Sequence, residues 1–156
     1  MEHIRAGDEA PDFDLPGDGG SRISLSAHRG SIVVLFFYPK DDTSGCTAEA
    51  VDFTRLKGEF ESIGAVLIGM SPDSVKKHDK FKDKHGLTVT LASDEEKSTL
   101  EAYGVWVEKS MYGRKYMGVE RTTLLIDKTG KIARVWEKVK VPGHAEEVLE
   151  AARALA

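Results

Sequence analysis

The chain has 156 residues, 40% of them hydrophobic and 31% charged, which suits one globular domain spanning 1–156. Its net charge of −4 argues against a general attraction to nucleic acid or an anionic membrane, and its longest apolar run is far too short to cross a bilayer. The stretch Met1–Gly7 shows no apolar leader, and the chain carries a single cysteine, Cys46, so a reducing, cytoplasmic setting is expected.

In chain order, the glycine-rich run 14–20 lacks the Lys-Ser/Thr ending of a phosphate loop and reads as a turn joining two short strands. A strand is expected at 22–25. The runs 32–38 and 65–70 are almost continuously apolar, as strands covered on both faces should be. Between them, 46–63 is expected to be a helix, with Ala50, Phe53, Leu56, Phe60 and Ile63 forming an apolar stripe. Cys46 lies on that stripe one turn before Ala50, so its sulfur should face the sheet rather than open solvent. Helices follow at 73–85, 97–103 and 144–155, and strands at 89–92, 122–127 and 132–137. The last two strands are joined by the turn 127–131. The segments 103–107 and 111–117 are rich in aromatic and apolar residues and frame either a pocket mouth or a contact surface. Alternating strands and helices with a closing hairpin imply an α/β sandwich around a mixed sheet.

The chemistry gathers at the strand-to-helix junction Pro39-Lys40-Asp41-Asp42-Thr43-Ser44-Gly45-Cys46. A helix start offers unpaired N–H groups and a partial positive charge, and both favour a thiolate. Cys46 as a purely structural buried cysteine is the simpler alternative. It gives no reason for the surrounding proline, threonine and glycine. Arg121 opens an apolar strand, where its permanent charge must be paired or reach outward. Glu49 stands one turn after Cys46, either orienting Arg121 or lying exposed near the helix start. Tyr38 reads as a core aromatic rather than a pocket-edge hydroxyl. His78 and His85 share a helix face with Phe81, more in keeping with a half-buried face than with a site. One cysteine without a Cys–His cluster argues against zinc. A cysteine hydrolase would need a histidine beside Cys46 and would leave Thr43 and Arg121 without a role.

Pro39, Thr43 and Cys46 match the Pro-x-x-x-Thr-x-x-Cys signature of peroxiredoxins. The longer string from Phe37 to Thr43, with Gly45-Cys46-Thr47 and Glu49-Ala50, resembles the bacterioferritin comigratory protein (PrxQ) group, as does Glu120–Asp127. The resemblance runs from Gly7–Phe13 to the last helix. It implies a thioredoxin-like fold, no cofactor, and a peroxidase in which Cys46 attacks the peroxide. Arg121 would lower the thiol pKa and bind the peroxide oxygens, Thr43 would join the peroxide hydrogen-bond network, and Pro39 would shield the sulfur.

Two positions depart from that group. Ser44 stands where relatives often have proline, and Val51 stands where many carry a second, resolving cysteine. Residues five apart on an intact helix have Cα atoms about 8.7 Å apart, beyond the roughly 7 Å a disulfide tolerates. A resolving cysteine there would require unwinding, whereas this helix is expected to stay folded through its cycle. The sulfenic acid at Cys46 must then be resolved by an external thiol such as thioredoxin, glutaredoxin or glutathione. The expected enzyme reduces hydrogen peroxide and organic hydroperoxides, acts as a monomer, and forms a Cys46–Cys46 disulfide dimer only as a side product. A redox sensor and a peroxiredoxin-fold holdase are the alternative functions, while a Cys-x-x-Cys oxidoreductase lacks its second cysteine.

Overall fold

A computed structural model describes residues 4–156; the first three residues of the Met1–Gly7 stretch lie outside them. The apolar runs form the inner strands. β3 (Ile32–Phe37) lies between β4 (Ala65–Ser71), which it pairs in parallel, and β8 (Thr122–Ile126), which it pairs antiparallel. β5 (Thr90–Ser93) and β9 (Ile132–Trp136) complete the five-stranded mixed sheet, in the order β5-β4-β3-β8-β9. Alternate residues of β3 supply two cores. Val34 and Phe36 pack on one face with Phe53, Phe60 and Val148, and Leu35 and Phe37 pack on the other with Phe13, Leu100 and Tyr103. Coverage of both faces explains why β3 is apolar at every position.

Helix α1 (Ser44–Ser62) buries Cys46, Glu49, Ala50, Phe53, Leu56 and Phe60, the i, i+3, i+4 stripe that its sequence displays. Helix α4 (His144–Leu155) packs beside it, tied by Arg55 to Glu146 at 2.6 Å and Arg153 to Glu59 at 2.9 Å. Helix α2 (Val75–His85) is capped by Ser74, whose hydroxyl accepts the Lys77 N–H, and ends at Gly86 in the left-handed conformation. Helix α3 is the short Ser98–Ala102.

The strand at 22–25 is β2 (Arg22–Ser24), and it pairs with β1 (Asp14–Pro16) across a turn at Asp18–Gly20. The segments 103–107 and 111–117 contain a feature that the apolar pattern did not reveal. β6 (Trp106–Met111) and β7 (Arg114–Val119) form an antiparallel hairpin separate from the main sheet. Tyr112 and Gly113 make its turn, both with positive φ. Most of the hairpin is exposed, so neither strand carries the buried alternation that announces a strand. Among the described residues, no helix is long and apolar enough to cross a membrane.

Candidate active site

The loop from Pro39 to Thr43 carries the chain from the end of β3 to the start of α1. Thr43 is the helix N-cap residue, with extended backbone angles. The first intrahelical bond runs from the Thr47 N–H to the Thr43 carbonyl at 2.8 Å. The N–H groups of Ser44, Gly45 and Cys46 therefore precede the helical ladder and remain available as donors. Cys46 sits in this first turn, 2% exposed, with its sulfur on the core side.

Arg121 reaches the sulfur from the junction between β7 and β8. Its Nη2 donates to Cys46 Sγ at 3.4 Å, and its Nη1 donates to Glu49 Oε1 at 2.7 Å. One guanidinium thus bridges the thiol and a carboxylate one helical turn further on. Burial works against the guanidinium charge, but Glu49 and Cys46 outweigh it and raise the Arg121 pKa. Gly45 makes the approach possible. A Cβ at that position would lie 3.0 Å from Arg121 Nη2.

Glu49 is the buried carboxylate of the site, 1% exposed, rather than an exposed residue near the helix start. Desolvation pushes its pKa up to about 7, against the attraction and hydrogen bond of Arg121. Its second oxygen, Oε2, is buried and has no hydrogen-bond partner among the described residues. Lys109 is a second cation whose charge is felt here. Burial and Arg121 lower its pKa while Glu120 and Cys46 raise it, and its ammonium donates to the Val119 carbonyl. Lys109 lies in β6 opposite Tyr116 of β7, so its position depends on the hairpin register.

The structure brings Arg121 into contact with both Cys46 and Glu49. Thr43 flanks them with its hydroxyl donating to the Lys40 carbonyl at 2.9 Å, and the Thr43 side chain is exposed. Pro39 is half-buried at the start of the same loop. Among the described residues no histidine hydrogen-bonds Cys46, and no group of three or more His, Cys, Asp or Glu is placed to hold a metal ion.

Tyr38 and His78 belong to a second buried cluster behind the loop. Tyr38 donates to Asp41 Oδ1 at 2.6 Å, His78 Nδ1 meets Asp41 Oδ2 at 2.6 Å, and His78 Nε2 meets the Ala92 carbonyl at 2.9 Å. Asp73 accepts from the Asp41 N–H at 2.8 Å and from the Ser71 hydroxyl at 2.7 Å. His78 is fully buried rather than half-buried. Burial opposes its charge, but Asp41 prevails and raises its pKa. Both ring nitrogens face acceptors, which suits an imidazolium.

A lone thiol in the first turn of a helix, gripped by an arginine and mounted on this mixed sheet, defines a thioredoxin-fold thiol protein. The AhpC/TSA family profile matches residues 6–135. Peroxiredoxin Bcp of Bacillus subtilis is 49% identical over 147 residues, covering 94% of each chain. A solved cysteine-to-serine mutant of Xylella fastidiosa PrxQ superposes with a TM-score of 0.93 at 41% identity, covering 99% of this chain and 98% of that one. A Xanthomonas campestris bacterioferritin comigratory protein, solved in work on its alkyl peroxide reduction activity, superposes with a TM-score of 0.90 at 44% identity, covering 96% and 98%. The chain belongs to the AhpC/TSA family and, within it, to the Bcp/PrxQ peroxiredoxins, which are thiol peroxidases.

Proposed function

We propose that Cys46 is the peroxidatic nucleophile of a cytoplasmic, single-domain peroxidase that reduces hydrogen peroxide and organic hydroperoxides. The observation that carries this reading is the Arg121 Nη2 to Cys46 Sγ contact of 3.4 Å, with Glu49 holding the other guanidinium nitrogen. The thiolate attacks one peroxide oxygen, the O–O bond breaks, and the second oxygen leaves with its electron pair and takes up a proton. Arg121 and the free N–H groups of the first helical turn face the charge that develops on the leaving oxygen. Thr43 supplies a hydroxyl at the rim, its oxygen lone pairs open while its proton is donated to the Lys40 carbonyl. Pro39, without an N–H and with φ fixed, keeps the loop in shape and water away from the sulfur.

Cys46 is the chain's one cysteine, so the sulfenic acid is resolved by a thiol from outside the chain. Val51 sits on α1 with 40% of its surface exposed, and nothing at that position requires the helix to open. Hydrogen exchange across residues 47–55 should be alike in the reduced and sulfenic forms. Strong deprotection on oxidation would refute a helix that stays folded. The protein acts as a monomer, and the 2% exposure of Cys46 makes a Cys46–Cys46 disulfide a side product. Stopped-flow mixing of reduced protein with hydrogen peroxide, with intact mass recorded before and after, tests the reading. Rapid, stoichiometric gain of one oxygen supports it, and oxidation no faster than that of free cysteine overturns it.

A further inference from the structure

The β6–β7 hairpin forms a two-stranded sheet of its own, and its two lysines are placed differently. Lys115 stands in solvent, 77% exposed, with its ammonium 3.6 Å from Glu108. Lys109 is half-buried between the exposed Glu108 and Ser110 and makes no ion pair among the described residues. A snorkelling lysine would send its ammonium to water. This one donates instead to the carbonyl of Val119, a residue 1% exposed. The stem of Lys109 gets there across Gly118. Lys109 pairs with Tyr116 and Val107 with Gly118, so Gly118 is its diagonal neighbour on the same face. A Cβ on Gly118 would lie 3.3 Å from Lys109 Cδ. The backbone of Gly118 is not left-handed, so the strand itself does not call for glycine there.

Val119 stands two residues before Arg121, and the segment they bound is pinned at three points. Lys109 holds the Val119 carbonyl, the Glu120 N–H donates to the Val105 carbonyl at 2.8 Å, and the Arg121 carbonyl accepts from the Val139 N–H at 3.0 Å. The two backbone bonds need no particular side chain, whereas the third depends on one lysine. Charge gives a second reason for that lysine. Its ammonium is repelled by Arg121 and attracted by Glu120 and Cys46, which puts it within electrostatic reach of both the thiol and the guanidinium. Of the groups around that pair, Glu49 ionises as pH passes about 7, Asp52 on the same helix adds negative potential, and burial favours neutral His144. Thiolate, guanidinium and ionised Glu49 then sum to one negative charge. An uncompensated buried charge is costly, so a further cation is what the balance requires.

We propose that Lys109 is a positioning residue of the thiol site, seating the Val119–Arg121 segment and returning to the Cys46 thiolate the positive charge that Glu49 takes up from Arg121. This deepens the peroxidase reading above and rests on it. Negative charge moves from sulfur to the leaving oxygen during attack, so one ammonium favours both ionisation of the thiol and cleavage of the O–O bond.

Cys46 is the chain's one cysteine, so alkylation by iodoacetamide reports its ionisation directly. The pH midpoint of that rate and the stopped-flow rate of oxidation by hydrogen peroxide at neutral pH are measured side by side. Lys109→Gln should move the midpoint up by about 0.5–1 pH unit and slow oxidation about three- to tenfold. Lys109→Met, which keeps the apolar stem over Gly118, should do the same. Lys109→Arg, which keeps the charge, and Lys115→Gln should both stay within about twofold of wild type. A midpoint unmoved in both neutral variants overturns the inference even if their urea midpoints fall, because a purely structural lysine would lower stability alone. A shift in Lys109→Arg as large as that in Lys109→Gln also overturns it. Arg121→Ala is run beside them. Oxidation indifferent to both residues removes the peroxidase reading itself, whereas a loss with Arg121→Ala alone removes only the role of Lys109.

Discussion

Two buried ionic clusters flank the Pro39–Thr43 loop, and they are finished differently. Behind the loop, the buried side-chain nitrogens and oxygens of Tyr38, Asp41, Asp73 and His78 all have hydrogen-bond partners. In front of it, Arg121 is shared between Cys46 and Glu49, and Glu49 Oε2 is buried without a hydrogen-bond partner among the described residues. A saturated network rigidifies what it touches, whereas an unsatisfied one keeps interaction energy in reserve. The rear cluster reads as the mount of the loop and the front cluster as its chemistry.

Removing one member from each cluster is the strongest way to break that contrast. Asp41→Ala leaves His78 as a buried charge without its carboxylate and should cost about 3–5 kcal/mol of stability. The urea midpoint measures it, and an unchanged midpoint would remove the structural role from the rear cluster. Arg121→Ala should slow oxidation of Cys46 by about 10²–10³-fold. Stopped-flow oxidation reads this directly, and a rate indifferent to Arg121 would remove the front cluster from the chemistry.

Acidity sharpens the comparison. The folded Glu49 pKa of about 7 lies above its ordinary 4.5. The stability held by its proton is therefore fully present below pH 4.5 and is lost as pH rises through about 7. The loss is on the order of 3 kcal/mol at most, and the part due to Glu49 should vanish in Glu49→Gln. Denaturant unfolding of both proteins across pH 4.5–8 checks this, and parallel curves would refute it. The smallest effect belongs to the exposed Val51: Val51→Ala should lie within about 0.5 kcal/mol of wild type, with unchanged peroxide oxidation. A larger change in either would mean that position 51 contributes more than exposed surface.

Much of the front cluster was legible from local pattern. The unbroken apolar run of β3, the proline-to-cysteine spacing and the stripe from Cys46 to Phe60 place the thiol in the first turn with its sulfur inward. Glu49 was also readable, because it falls three residues after Cys46 on the buried side of the same stripe. Its charge left an exposed position equally open, and the contact with Arg121, 72 residues away, decides for the buried one. The rear cluster had no local signal, since Asp41 and His78 meet across 37 residues through the packing of α2 on the loop. Lys109 and the β6–β7 hairpin escaped because exposed strands carry charges on both faces. The positive φ of Tyr112 and Gly113 marks the turn, but the conformation is visible only once folded.

Gly45 links stability and reactivity at a single atom. Its backbone is helical, so alanine would fit the turn and favour the helix by up to about 1 kcal/mol. The added methyl would also press on Arg121 Nη2 and displace the guanidinium by a few tenths of an ångström. Selection for a sturdier fold alone would fill that position, and selection for a fast thiol would keep it empty. On the role proposed for Cys46, the missing methyl keeps the guanidinium against the sulfur at the expense of helix stability.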